Sequence, residues 1–262
     1  MKGIASFDID MTLLDHKDFK IPDSAYRALD RLRERYYIVL ATGRDLDSKF
    51  SSGLEELVHP DAVIHLNGTK ITVGGKLIYE HCMDRELVKR LLQFAEGREF
   101  AIGLTTGTED YYVNPQYVTA HDMFRWGESS RNYQDPWELL HQKVRTLTYI
   151  GAPPGAKLVE EAFEEVKLPM FSSNTGADII ELAASKAEGL KRLCAYYGVQ
   201  MKDTVAFGDS MNDFEIIQAA GIGVAMGNAL GELKAAADYV TTAVGEDGIW
   251  NACVNLGLID TE

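Results

Sequence analysis

Cysteine is scarce in this chain: Cys82, Cys194 and Cys253 are the only three among 262 residues. They are odd in number, far apart and without CxxC spacing. That argues against a disulfide framework and predicts reduced core thiols in a cytoplasmic protein. A chain of this length can bury a full core without such staples. Positive charge is also in deficit, with 26 Lys and Arg against 40 Asp and Glu and a formal net charge of −14. An acidic surface repels a nucleic-acid backbone and an anionic membrane alike, so neither is expected as a main partner. A small anionic substrate stays compatible, because a bound cation reverses the field locally. No apolar run approaches the roughly 20 residues of a membrane-spanning helix, and the N-terminus reaches Asp8 too soon for a signal peptide. The six histidines (16, 59, 65, 81, 121 and 141) show no HxxxH or HExxH spacing. A zinc or redox site therefore has no support, and each histidine reads as a surface or core residue.

What the chain does have is strand–helix alternation. Ile4 to Ile9 reads as a buried strand. Pro22 to Arg35 reads as a helix capped by Asp23 or Ser24, with Ala25, Ala28, Leu29 and Leu32 on one face. Strands follow at Tyr37 to Ala41 and Ala62 to Leu66, which is the rhythm of parallel βαβ units. The middle differs. Asn67 to Lys76 carries hairpin chemistry ending in Gly74-Gly75. Arg85 to Glu96 is an amphipathic helix. Phe100 to Leu104, Tyr111 to Val113 and Val144 to Ile150 read as strands, and Lys157 to Glu165 as a helix. The alternation returns with a helix at Lys186 to Tyr197 and a strand at Thr204 to Phe207. A helix from Asn212 to Ala220 and short strands at Ile222 to Ala225 and Tyr239 to Thr242 complete it. The economical reading is a parallel α/β core interrupted by an inserted α+β block of about 100 residues. The aromatics Tyr111, Tyr112, Tyr117, Phe124, Trp126, Tyr133 and Trp137 are expected mostly to pack that block's core, with pocket lining as the alternative.

Four places carry chemistry. Asp8 and Asp10 follow the first strand, and ligands of open parallel sheets bind beyond the carboxyl ends of strands. Two carboxylates there can share a hard cation such as Mg²⁺. Thr42-Gly43-Arg44 follows the second strand, where a hydroxyl and backbone N–H groups can hold phosphate oxygens. Gly208-Asp209-Ser210-Met211-Asn212-Asp213 follows a later strand and adds two carboxylates and an amide. Lys186 opens a helix and means little alone. An EF-hand reading of Asp8, Asp10 and Thr12 fails, because Phe19 occupies the position of the bidentate Glu.

Taken together, Asp8-x-Asp10-x-Thr12, Thr42, Lys186 and Gly208 to Asp213 resemble the haloacid dehalogenase-type phosphatase superfamily, in order and rough spacing over essentially the whole chain. The runs Ala41-Thr42-Gly43-Arg44, Asn67-Gly68 and Val224-Ala225-Met226-Gly227-Asn228-Ala229 look like its Cof-type sugar phosphatase branch. The resemblance implies a Rossmann-like parallel-sheet core (1–81 and 186–262) and an inserted α+β cap of C2B type (82–185) that sets substrate choice. It implies Asp8 as nucleophile, ionised at neutral pH by its reference pKa. Asp10 would be the general acid and base, with a raised pKa. The metal ligands would be Asp8, Asp10 (through its backbone carbonyl) and Asp209, with Asp213 behind them. Phosphate would be bound by the N–H groups of Ile9 and Gly43 and by Thr42, Lys186 and Asn212. The implied cofactor is Mg²⁺ and the implied partner a small phosphorylated metabolite, handled by a monomer. A phosphomutase or a non-catalytic metabolite-binding regulator would share much of this pattern. Met11 and Ala187 stand where the family often has Gly, which relieves backbone strain at suitable sites.

Overall fold

The computed structural model describes residues 2–46, 51, 53–171 and 173–260. Along the chain run β1 (Gly3–Phe7), α1 (Asp23–Leu32), β2 (Tyr36–Ala41), α2 (Leu54–Val58), β3 (Ala62–His65), β4 (Lys70–Val73) and β5 (Lys76–Glu80). There follow α3 (Arg85–Ala95), β6 (Ala101–Thr106), β7 (Glu109–Val113), α4 (Pro115–Trp126), β8 (Leu147–Ile150), α5 (Pro153–Ala162), β9 (Val166–Lys167) and β10 (Gly176–Glu181). The remainder is α6 (Lys186–Tyr197), β11 (Thr204–Gly208), α7 (Phe214–Ala219), β12 (Ile222–Ala225), α8 (Gly231–Ala236), β13 (Tyr239–Val240) and α9 (Gly248–Asn255). Two compact units form among the described residues: one takes 2–46, 51, 53–80 and 184–260, the other 81–171 and 173–183. Among the described residues, no helix is long and apolar enough to cross a membrane.

The first unit is built on a sheet of order β13-β12-β11-β1-β2-β3-β4-β5. It is parallel from β13 to β3 and antiparallel through β4 and β5. Every residue of β1 is buried, as expected of a strand covered on both faces. Side chains alternate between the two faces. Ala5, Phe7, Ile38, Leu40 and Phe207 pack with Ala28 and Leu29 of α1 and with Ile249 and Ala252 of α9. Ile4, Val39, Ala41, Ile64 and Ala206 pack with Leu190 and Leu193 of α6, Ile216 and Ile217 of α7 and Leu233 of α8. Because β1 lies between β2 and β11, the chain reverses its direction of travel across the sheet there. That is the switch point at which open α/β sheets place ligands.

The second unit carries an antiparallel sheet of order β7-β6-β8-β10-β9. Ile102, Tyr111 and Tyr149 face α3 and α5. Ala101, Tyr112 and Ile150 turn to the other face and meet Val118 of α4. Tyr117, Tyr133 and Trp137 are partly buried against these clusters, whereas Phe124 and Trp126 are 83 % and 60 % exposed.

Several boundaries differ from the sequence reading for identifiable reasons. In α1 the cap position is Pro22 and no side chain caps it; Asp23 and Ser24 are already helical. α5 starts at Pro153 rather than Lys157, because proline is tolerated in a first helical turn. The run from Asn212 opens as a short 3₁₀ turn, Met211–Asp213, before α7. α4 has no sequence signature, since its only buried residues are Val118 and Asp122; that is no apolar stripe.

Candidate active site

The parallel register brings the chemistry together. Phe7 pairs with Leu40 and with Phe207, so Asp8, Thr42 and Asp209 lie just past the ends of three adjacent strands. α6 presents its first residue, Lys186, from one face of this sheet. Lys186 has no exposed surface, and its Nζ donates to Asp8 Oδ1 at 2.7 Å and to Asp213 Oδ1 at 2.6 Å. The other Asp213 oxygen accepts the backbone N–H groups of Asp209 (3.0 Å) and Ser210 (3.1 Å). Carboxylate oxygens of Asp8, Asp209 and Asp213 all lie within 4.8 Å of one another. Asn212 donates to Asn67 Oδ1 at 3.1 Å. Thr42 is buried, and its hydroxyl accepts the Arg44 N–H at 3.0 Å. Thr12 is buried with no hydrogen-bond partner for its hydroxyl.

Three buried carboxylates against one ammonium leave an excess of two negative charges. Burying uncompensated charge is expensive, and such groups shift pKa instead. Burial pushes Asp8 up to about 7, with Lys186 opposing and Asp213 and Asp10 adding to the rise. Burial likewise lifts Asp209 to about 9, helped by Asp8 and Asp213. Asp8 is therefore not the fully ionised carboxylate that its reference value suggests. Burial works against the charge of Lys186, but Asp213 and Asp8 outweigh it and hold the ammonium above its ordinary range. A divalent cation matches both the excess charge and the all-oxygen donor set. When bound, it would favour the ionised forms of Asp8 and Asp209.

Asp10 departs from expectation in the opposite direction. Its carboxylate is gripped by Arg44, Nε to Oδ2 and Nη2 to Oδ1 at 2.7 Å each, and by His16 Nε2 at 2.7 Å. Burial favours the neutral acid, but the His16 and Arg44 hydrogen bonds outweigh it and hold Asp10 well below the usual carboxylate range. A fork of charge-assisted bonds stabilises the anion more strongly than nearby like charges raise it. The Asp10 side chain is thus engaged by Arg44 and His16. Sequence reasoning gave no role to Arg44 or His16. Arg44 had a signal, its place directly after Thr42-Gly43. His16 had none.

Met11 and Ala187 now separate. Met11 sits at φ 59, a left-handed conformation that costs a non-glycine residue roughly 1–2 kcal/mol. Ala187 is an ordinary buried position inside α6, where Ala is the better helix former and a glycine would relieve nothing.

Comparison with known proteins agrees with this fold. The family model of haloacid dehalogenase-like hydrolases matches residues 5–253. A Bacillus subtilis (strain 168) protein named "Putative phosphatase YkrA" is 33 % identical over 259 residues, covering 97 % of each chain. The same organism's 5-amino-6-(5-phospho-D-ribitylamino)uracil phosphatase YitU is 26 % identical, covering 94 % of each. The solved structure of the HAD subclass IIB sugar phosphatase BT4131 superposes with a TM-score of 0.87 at 28 % identity, over 99 % of this chain and 100 % of that one. The chain belongs to the haloacid dehalogenase-like hydrolase family, and within it is a phosphatase.

Proposed function

We propose that the protein hydrolyses phosphomonoesters of small metabolites, sugar phosphates foremost, with Mg²⁺ and through an aspartyl-phosphate on Asp8. One observation carries the reading. Lys186 holds Asp8 among buried carboxylates whose excess charge a divalent cation would balance. Asp8 and Asp209, with the Asp10 backbone carbonyl, would hold that cation, and Asp213 would fix the Asp209 and Ser210 backbone from behind. The cation, when bound, offsets repulsion between the Asp8 carboxylate and the substrate phosphate.

In the first step an Asp8 oxygen bonds to phosphorus and the bond from phosphorus to the leaving oxygen breaks. Asp10 gives a proton to that oxygen, which requires substrate to loosen the Arg44 and His16 hold that keeps its carboxylate ionised in the free protein. In the second step Asp10 takes a proton from water, the water oxygen bonds to phosphorus and the bond to Asp8 breaks, releasing inorganic phosphate. Lys186, Thr42, Asn212 and the N–H groups of Ile9 and Gly43 bind the transferring oxygens. The inserted unit sets substrate choice. The acidic surface and free thiols suit a cytoplasmic monomer with no nucleic-acid or membrane partner.

Phosphate release across a panel of phosphorylated metabolites with Mg²⁺ tests the proposal. Release is expected with the native chain and lost in Asp8→Asn or with EDTA. Transfer of the phosphoryl group to a second sugar position without release would show a mutase instead. Turnover in Asp8→Asn would refute the nucleophile.

A further inference from the structure

Three successive residues between β3 and β4 take left-handed backbone: Leu66 (φ 49), Asn67 (φ 52) and Gly68 (φ 96). Residues with side chains visit that region singly, and asparagine tolerates it better than leucine. Such strain persists where surrounding contacts over-determine it, and it clusters at functional sites. Here the contacts lead to the site. The Leu66 N–H donates to the Arg44 carbonyl at 3.1 Å and the Asn67 N–H to the Thr42 carbonyl at 3.0 Å. The run therefore holds the Thr42-Gly43-Arg44 loop by its backbone. His65, the residue before, is buried, and its Nδ1 accepts the Leu46 N–H at 3.2 Å.

The Asn67 side chain reaches a different element. It is buried, and its Oδ1 accepts one N–H of the Asn212 amide at 3.1 Å. From the other side the Ser210 hydroxyl donates to Asn212 Oδ1 at 2.7 Å. A primary amide has one carbonyl acceptor and two N–H donors. Ser210 engages the oxygen and Asn67 the nitrogen, so the plane and the sense of the Asn212 amide are both set. Its second N–H has no acceptor among the described residues. We infer that Asn67 is a positioning residue: it holds the Asn212 amide so that this second N–H meets an oxygen of the transferring phosphoryl group. A donor fixed beforehand needs no reorganisation as charge develops. The inference deepens the phosphatase reading and rests on it.

Asn67→Gly in the full chain tests it. Glycine adopts the left-handed backbone without steric cost and keeps the N–H that the Thr42 carbonyl accepts, so only the side-chain amide is lost. The variant should fold with a Tm close to native. Its kcat for phosphate release should fall about tenfold, the scale of one hydrogen bond, with little change in KM. In an Asn212→Ala background the same change should lower kcat no further, because no amide remains to be held. Native kcat in Asn67→Gly, or the same loss repeated in the Asn212→Ala background, would overturn the inference and leave the phosphatase reading standing. A native chain without turnover on any phosphomonoester would remove that reading instead, and the hold on the amide is then decided by NMR. The Asn212 side-chain amide signals, identified by their loss in Asn212→Ala, should shift in Asn67→Gly. Unmoved signals would overturn the inference with or without turnover.

Discussion

Lys186 is the residue on which the site's electrostatics turn, because its buried ammonium bonds directly to two of the three buried carboxylates, Asp8 and Asp213. Breaking a buried pair by removing one partner leaves an uncompensated charge and costs roughly 3–5 kcal/mol. Lys186→Met should therefore lower the metal-free unfolding free energy by about that amount in urea titrations. An unchanged midpoint would mean that the carboxylates are already neutral. Arg44 acts on a single group. Its fork favours the ionised form of Asp10, so Arg44→Gln should let that pKa climb back toward the ordinary carboxylate value. The limb of kcat/KM that reports the protonated leaving-group donor should then move to higher pH. A limb that stays put would separate Asp10 from the acid role.

The connection between β3 and β4 shows why one glycine matters more than another. Gly68 has φ +96, and a Cβ there would overlap the carbonyl of Ser185. Ser185 caps α6, accepting the Glu188 N–H at 3.1 Å, and Lys186 is its next residue. Gly74, in the turn between β4 and β5, also has positive φ but faces open space. Gly74→Ala should cost only the left-handed strain, roughly 1 kcal/mol. Gly68→Ala should cost more and also lower kcat, because the start of α6 must move. Equal losses in the two variants would show that the close approach is unimportant. Asn67-Gly68 was legible in the sequence as wording, while its reason, a backbone contact across more than a hundred residues, was not. The same limit runs through the fold. β1, β2, β11 and α6 were readable because apolar runs and helical periodicity are local. α4 and α9 were not, and neither was the clamp on Asp10, since His16 meets it only after the chain has turned back. The carboxylates could be named from spacing, but the direction of each pKa depended on burial and on partners that sequence order does not reveal.

At the scale of the whole molecule, these buried acids tie stability to pH. Asp8 and Asp209 rise from an ordinary 3.8 to about 7 and about 9 in the folded chain. Between those limits the folded state holds protons that the unfolded state has released, so the unfolding free energy falls as pH rises. Asp10 has the opposite sign, because its folded value is depressed. Its contribution is complete above the ordinary carboxylate value and is lost only in stronger acid, so it does not offset the trend near neutrality. Lys186 is raised, and its contribution is likewise complete below its ordinary 10.5. The metal-free protein should therefore lose thermal stability steadily from about pH 5 to pH 9. Metal binding requires deprotonated ligands and stabilises the state that binds it. The gain in Tm on adding Mg²⁺ should accordingly be larger at about pH 8.5 than at about pH 5.5. Thermal melts in EDTA and in Mg²⁺ across this range measure both slopes. A metal-free Tm that rises with pH would contradict the buried excess of negative charge, and with it the reason for a cation at the end of β1.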